Sequence, residues 1–337
     1  MRRILGYATA LPVSVLLLAG AGAGTGVGVG AGAGAASASV PGDDGFTIKD
    51  PRITESSGLA ASRAHPGIYW THNDGDDGTY LYAIDGRTGE TVARITYTGV
   101  GKPHDVEAVS VGADGHLYVG AIGDNDEDED HVWIYRLKEP SDLSDRTVAA
   151  TDYHVAYEDG AHNAESLAVH PGTGRIYVIT KDKDGGALYE APEEPTADGD
   201  NTLGKVADID LWVTDAAFSP DGTRLAVRGD DGIMYIWKNG KPSHPRALDV
   251  PKQKQGEAIT FTTDGRTLLY GSEGTNSGVV ARPAKAGAAI VAEADGLNGM
   301  RLTGTVIGVA AVVALLLGGG RMVWLRKRSN NLRDSAL

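Results

Sequence analysis

The feature that most constrains the fold of this chain is a segment of about 50 residues that recurs five times. The copies align on a small residue followed by an apolar one. Their openings, at residues 56, 105, 163, 213 and 255, read "SSGLAAS", "DVEAVSV", "NAESLAV", "VTDAAFS" and "QGEAITF". A repeat of this length indicates one structural unit per copy, with neighbouring units packed on each other.

The pattern inside each copy predicts four short β-strands. A turn rich in glycine, aspartate or proline follows the opening strand, as in "GADGHLYV" and "SPDGTRLAV", and a third strand comes next. Four copies continue into a fourth strand, and the last copy does not. We expect "FTIKDPRI", residues 46–53, to supply it. The sequence therefore predicts an all-β fold, a five-bladed β-propeller over 46–285 closed by an N-terminal strand, because a sandwich would not repeat a four-strand unit.

Several of these stretches also carry a resemblance. "SGLAAS", "YWTHNDGDDG", "YVGAIGDND", "VITKD" and "AAFSPDGTRLAVR" resemble the secreted WD-repeat-like propellers that are common in actinobacteria. The resemblance covers about 45–285, and "SPDGTRLAV" is general to propellers. It implies the fold and a location outside the cytoplasm, and it supplies no catalytic residues.

The two ends of the chain do not fit the repeat. Residues 1–38 join two arginines to an apolar run and end in "ASA", which predicts a cleaved signal peptide. An uncharged run followed by basic residues predicts a transmembrane helix over 302–325, with 326–337 as a cytoplasmic tail. Residues 39–45 and 286–301 are expected to be linkers. We therefore predict a single-pass protein of the cell membrane with its propeller outside.

Charge and cysteine content exclude several classes of function. The net charge is −14, which disfavours nucleic acid and suits cations or basic partners. The sequence contains no cysteine, so disulfides and thiolate metal sites are excluded. It also contains no G-x-S-x-G motif of a serine hydrolase.

An acidic residue recurs near the start of the innermost strands. The aligned positions hold Ser57 in the first copy and then Glu107, Glu165, Asp215 and Glu257. A ring of carboxylates at one mouth of the channel would repel one another unless a cation intervened. Oxygen ligands suit Ca²⁺ or Mg²⁺, and His104 and His162, three residues before their acids, could instead join a transition-metal site. The alternative is that the acids cap backbone amides or face a water-filled channel.

A second polar set follows the second strand of each copy. Its members are His72, Asn73, Asp74, Asp124, Asn125, Lys181, Arg228 and Glu273. Mixed charges in one mouth favour a polar binding surface. The alternative is ordinary turn chemistry, because Asn, Asp and Gly prefer turns regardless of function.

Two functions fit these observations. The first is a non-catalytic module at the cell surface that binds a protein or a glycan, with a divalent cation as an optional component, anchored by the C-terminal helix. The second is a metal-dependent extracytoplasmic hydrolase, either a lactonase or a glycoside hydrolase, that uses the channel carboxylates. Fold alone does not separate them.

Overall fold

A computed structural model describes residues 44–75, 78–101 and 105–290. Over these residues the chain forms twenty β-strands and no helix. In chain order they are β1 (Gly45–Thr47), β2 (Ser56–Ala61), β3 (Ile68–Asn73), β4 (Tyr80–Asp85), β5 (Thr91–Thr98), β6 (Val106–Val111), β7 (His116–Ala121), β8 (Val132–Lys138), β9 (Arg146–Tyr157), β10 (Ala164–Val169), β11 (Ile176–Thr180), β12 (Gly186–Glu190), β13 (Asp200–Ile209), β14 (Asp215–Phe218), β15 (Arg224–Arg228), β16 (Gly232–Lys238), β17 (Lys241–Ala247), β18 (Ile259–Phe261), β19 (Thr267–Tyr270) and β20 (Gly278–Pro283).

Consecutive strands pair antiparallel in groups of four. The groups are β2–β5, β6–β9, β10–β13 and β14–β17, and β18–β20 form another with β1. The first strand of each group contacts the first strand of the next, and β18 contacts β2, so the inner strands return to their starting point. This arrangement confirms the all-β, propeller-like part of the predicted fold class, and the number of blades stays a prediction.

The closing strand is shorter than the sequence predicts. Only β1 pairs with β20, with Phe46 opposite Val279, whereas the prediction extended over 46–53. Ile48 still donates from its backbone N–H to the Ser277 carbonyl at 2.9 Å. The chain then turns at Asp50, because the following Pro51 has no N–H to continue a ladder.

Apolar clusters fill the spaces between neighbouring groups. Trp70 and Val119 belong to the cluster between the first and second groups, and Ile134 and Leu167 belong to the next one. The remaining clusters contain Leu188 with Val227, Met234 with Leu268, and Leu59 with Leu269. Alternation along each strand places these side chains on the sheet faces, so packing between groups supplies the core.

Hairpin turns follow the aspartate-glycine signals in the sequence. Gly222 and Gly265 both have φ of +69°, a conformation that costs glycine little. Before each glycine, an aspartate accepts a backbone N–H bond two residues ahead, Asp221 from Thr223 and Asp264 from Arg266. These turns fix the register between the first and second strands of their groups.

Two outer features differ from the repeat pattern. β9 is 12 residues long and pairs parallel with both β5 and β13, which joins three groups into one 12-stranded sheet. Residues 287–290, assigned from sequence to a linker, bond to β17, with Ala289 bridging to Arg246. The predicted signal peptide and transmembrane helix lie outside the described residues. Within those residues, no helix is long and apolar enough to cross a membrane.

Candidate functional site

β-Bulges position two of the predicted acids. The register of β6 shifts between Val106 and Ala108, so Glu107 lies in a bulge. The register of β10 shifts in the same way around Glu165. A bulge leaves one residue without a ladder partner and redirects its side chain. Both glutamates therefore lie at the start of an inner strand without belonging to the regular face alternation.

Glu107 forms a cluster with two aspartates. One carboxylate oxygen from each of Asp74, Asp105 and Glu107 lies within 4.8 Å of the others. Asp74 follows the end of β3, and Asp105 directly precedes β6. Glu107 is only 4% exposed, and within the described parts of the chain no group donates a hydrogen bond to its carboxylate or forms an ion pair with it.

The electrostatics of this cluster favour a bound positive charge. Burial, and then the charges of Asp74 and Glu165, raise the pKa of Glu107 to about 10. Burial, and then Asp105, raise the pKa of Asp74 to about 6. A carboxylate surrounded by like charges in a buried place holds its proton until a cation replaces it. We refer to the side of the ring that carries Asp74, Asp105 and Glu107 as the acidic mouth.

Four further residues extend the acidic mouth. Lys181 forms an ion pair with Glu165. Burial raises the pKa of Glu165 to about 7 against the opposing effect of Lys181. Burial, and then Glu257, raise the pKa of Glu273 to about 7. Burial also raises the pKa of Glu257, whose Oε2 has no hydrogen-bond partner among the described residues. The Lys181 ammonium therefore interacts electrostatically with several carboxylates at once.

Asp215 occupies the aligned acidic position but has a different role. Its Oδ1 accepts from the Ala216 N–H at 2.7 Å, and its Oδ2 accepts from the Ile259 N–H at 2.8 Å. Both oxygens are therefore used to cap backbone amides between β14 and β18. This is the capping alternative considered from sequence, and it separates Asp215 from the predicted set of metal ligands.

Several members of the second polar set are also structural. Arg228 is 2% exposed and donates from Nη1 to the carbonyls of Ala258 and Gly271. Asp124 accepts the backbone N–H groups of Asp128 and Glu129, which shapes the connection between β7 and β8. These two side chains support loops and neighbouring strands, so they are poor candidates for ligand contact.

The remaining members divide between interior and mouth. Asn73 accepts the Thr54 N–H and donates to the Arg52 carbonyl, and buried His72 bonds through Nδ1 to the Asn73 carbonyl oxygen. Asn125 faces the mouth, because its Nδ2 donates to Asp105 at 3.0 Å. The second set is therefore split between structural and accessible positions.

His162, one of the two histidines predicted for a transition-metal site, contacts Asp159 and Tyr189 instead of the clustered acids. His162 Nε2 lies 3.0 Å from Asp159 Oδ1 and 3.1 Å from the Tyr189 hydroxyl. His104 lies outside the described residues. Among the described residues, the donor set that the structure brings together consists of carboxylates, which suits a hard cation.

Sequence reasoning placed Glu107 and Asp74 in separate sets and omitted Asp105. The signal for Asp105 was its position two residues before Glu107, which keeps the two carboxylates close together along the chain. It also omitted Trp212, whose ring lies 5.3 Å from the Lys181 ammonium. No repeat position marks that tryptophan.

Comparison with known proteins agrees with the fold. No protein-family model matches the chain. It is 33% identical over 92 residues to WD repeat and SOCS box-containing protein 1 of Xenopus tropicalis. The fold is WD-repeat-like. The matched segment is 27% of this chain and 19% of that relative, so it spans about a fifth of the relative's length.

Three solved structures are similar to this chain at low TM-scores. A gluconolactonase from Xanthomonas campestris is 15% identical, with a TM-score of 0.43 and coverage of 72% of this chain and 80% of that one. Hydrazine synthase of Kuenenia stuttgartiensis is 14% identical, with a TM-score of 0.39 over 67% of this chain and 57% of its own. A chain of the mitotic checkpoint complex is 12% identical, with a TM-score of 0.35 over 67% and 63%. Similarity at this level carries no functional argument.

Proposed function

We propose that this chain is a five-bladed β-propeller that acts as a non-catalytic binding module and holds a divalent cation, Ca²⁺ or Mg²⁺, at its acidic mouth. The observation that carries the proposal is the meeting of Asp74, Asp105 and Glu107 within 4.8 Å. Because the Glu107 carboxylate is buried without a donor among the described residues, a cation would supply the missing partner.

A hard cation would leave part of its coordination shell free for a ligand. Ca²⁺ takes about six to eight oxygens and Mg²⁺ about six. The three carboxylates supply some of these, and water or a ligand would supply others. A cation at this position therefore serves as a contact point for a partner as well as a stabiliser of the mouth.

The proposed setting is the cell surface. The sequence of residues 1–38 supports export, and that of 302–325 supports a single membrane anchor with 326–337 inside the cell. The ligand would then be a protein or a glycan outside the membrane. The net charge of −14 disfavours nucleic acid as a partner.

Calorimetric titration of the full-length chain with Ca²⁺, and separately with Mg²⁺, tests the cation. After treatment with EDTA, we expect saturable binding and a higher melting temperature in the presence of the ion. Glu107→Gln replaces a negatively charged ligand with a neutral one of similar shape. The affinity of this variant for the ion should therefore fall by about tenfold or more.

The matched control is Glu194→Gln, which makes the same change at an exposed position. It should bind the ion as the unmodified chain does. Absence of saturable binding of either ion, or equal affinity in Glu107→Gln, would contradict the proposal. A melting curve of each variant without the ion verifies that it is folded.

A second candidate, a metal-dependent hydrolase, is favoured by one contact. Lys181 and Glu165 form an ion pair in the same mouth as the three-carboxylate cluster, which would place an acid–base pair beside a metal that can polarise a carbonyl. Turnover of a panel of lactones and aryl glycosides with added Ca²⁺ or Mg²⁺ tests this candidate. Turnover that disappears in Lys181→Met would favour the hydrolase over the binding module.

A further inference from the structure

An exposed tryptophan borders the acidic mouth. Trp212, in the connection between β13 and β14, is 49% exposed. Among the described residues, the other large apolar side chains with comparable exposure are aliphatic, namely Val92, Ile236 and Ile290. An exposed indole offers a wide, rigid apolar face that water solvates poorly. Its position beside the carboxylates makes that face part of one composite surface.

Lys181 connects Trp212 to the carboxylates. The Lys181 ammonium lies 5.3 Å from the centre of the Trp212 ring and forms an ion pair with Glu165. Burial lowers the pKa of the Lys181 ammonium, but the ion pair with Glu165 and the charges of Glu257 and Glu107 raise the pKa by more. The ammonium is therefore held between the tryptophan and the acidic mouth, and the two surfaces are adjacent.

The backbone under Trp212 is tightly packed. A Cβ added at Gly229 would lie 2.0 Å from the Trp212 carbonyl oxygen, so glycine is needed for this approach. Gly186 donates to the Leu211 carbonyl at 3.1 Å, and Val213 is fully buried. The residues on both sides of Trp212 are anchored, which fixes the backbone that carries its exposed ring.

Resting on the proposed function, we propose that the acidic mouth and Trp212 together bind a neutral glycan. A pyranose ring has an apolar C–H face that can stack on the Trp212 indole. Its hydroxyl groups can donate to carboxylate oxygens at the mouth, such as those of the partly buried Glu273, and can occupy free positions on the cation. One sugar can thereby contact both the Trp212 ring and the carboxylates of the acidic mouth.

The charges at the site favour a neutral glycan over charged ligands. Acidic sugars would bring further negative charge close to the carboxylates of Glu257 and Glu273, which repel anions when ionised. A basic peptide would need to place a second cation near the Trp212 ring, where the Lys181 ammonium already lies. A neutral polyol meets neither repulsion.

Calorimetric titration with four defined oligosaccharides tests this inference. The full-length chain, purified in a detergent without a sugar headgroup and saturated with Ca²⁺, is titrated with cellopentaose, mannopentaose, chitopentaose and tetragalacturonate. We expect binding of at least one neutral oligosaccharide and none of tetragalacturonate. Trp212→Ala should weaken that binding by about tenfold or more, equivalent to about 1.4 kcal/mol.

Two controls separate this inference from the proposed function. Ile236→Ala truncates another exposed apolar side chain and should bind the oligosaccharide normally. Trp212→Ala should still bind Ca²⁺, because Trp212 is not one of the three clustered acids.

Three outcomes would contradict one proposal or the other. Calcium binding without binding of any neutral oligosaccharide would overturn the glycan inference but not the proposed cation site. Equal oligosaccharide affinity in Trp212→Ala, or binding of tetragalacturonate or a lysine-rich peptide instead, would also overturn it. Absence of calcium binding would contradict the proposed function itself.

Discussion

At the scale of single residues, equivalent repeat positions acquire different roles. Glu107 and Asp215 align in sequence, yet Glu107 faces two aspartates, whereas Asp215 accepts two backbone N–H bonds. The difference arises from the β6 bulge, which β14 lacks. Repeat alignment predicted that both positions would be acidic and lie near the mouth. It did not predict which acid would be satisfied, because a one-residue shift in register leaves no mark in composition.

The protonation of Glu107 predicts a pH-dependent stability. Its folded pKa of about 10 lies above its unfolded value, so the folded chain retains a proton that the unfolded chain loses. In the absence of divalent ions, its contribution to stability is therefore complete below the unfolded pKa and is lost as the pH rises toward 10. We expect Glu107→Gln to be about 1–3 kcal/mol more stable than the unmodified chain at pH 8.

Urea unfolding with EDTA at pH 5 and pH 8 measures this effect. The advantage of Glu107→Gln should be small at pH 5 and larger at pH 8. An advantage that is equal at the two pH values would mean that Glu107 is not held protonated by its surroundings.

At the scale of strands and connections, the groups are linked by polar contacts as well as apolar packing. Glu139, which follows β8, is 5% exposed and belongs to the second group. It accepts from Ser62 Oγ at 2.6 Å and from Trp70 Nε1 at 2.8 Å, both in the first group. Sequence periodicity indicates strands and turns, but it does not indicate a carboxylate that joins two units.

Removing Glu139 should weaken the contact between these groups. Glu139→Ala leaves the buried Trp70 and Ser62 donors without an acceptor, so we expect a loss of about 2–4 kcal/mol in the free energy of unfolding. Glu139→Gln keeps one acceptor oxygen and should cost less. Urea unfolding compares both with Glu194→Ala, an exposed control that should be near neutral. If Glu139→Ala left the free energy of unfolding unchanged, this contact would not be what joins the two groups.

Strand positions were largely predictable, and the outer pairings were not. Alternating apolar residues and glycine turns are local signals, so the repeat units coincide with the observed groups. The parallel pairing of β9 with β5 and β13 depends on the length of β9, which extends past its own group. Such contacts between distant segments have no local sequence signature.

At the scale of the whole molecule, β1 closes the ring, and Gly45 makes its pairing possible. Gly45 has φ of +88°, and an added Cβ would lie 2.6 Å from the Val279 carbonyl oxygen. Gly45→Ala should therefore lower the free energy of unfolding by about 1–3 kcal/mol and loosen β20. Gly204→Ala is the matched control, because an added Cβ there meets nothing within 4 Å.

Hydrogen exchange locates the effect of opening the ring. Amides of β20 should exchange faster in Gly45→Ala than in Gly204→Ala, while those of β10 and β11 should change less. Unchanged exchange in β20 would mean that β1 contributes little to closure. The sequence predicted this closure from a missing strand in the last repeat, although it overestimated the length of the strand that fills it.

In the proposed site, packing of the first group of strands on the second brings carboxylates from separate segments together around one cation. Crystals of the full-length chain grown with Tb³⁺, a luminescent and strongly scattering substitute for Ca²⁺, test it directly by anomalous diffraction. We expect an anomalous peak about 2.3–2.6 Å from oxygens of all three residues, Asp74, Asp105 and Glu107. A structure in which these three carboxylates are apart, or in which bound Tb³⁺ contacts none of them, would contradict it.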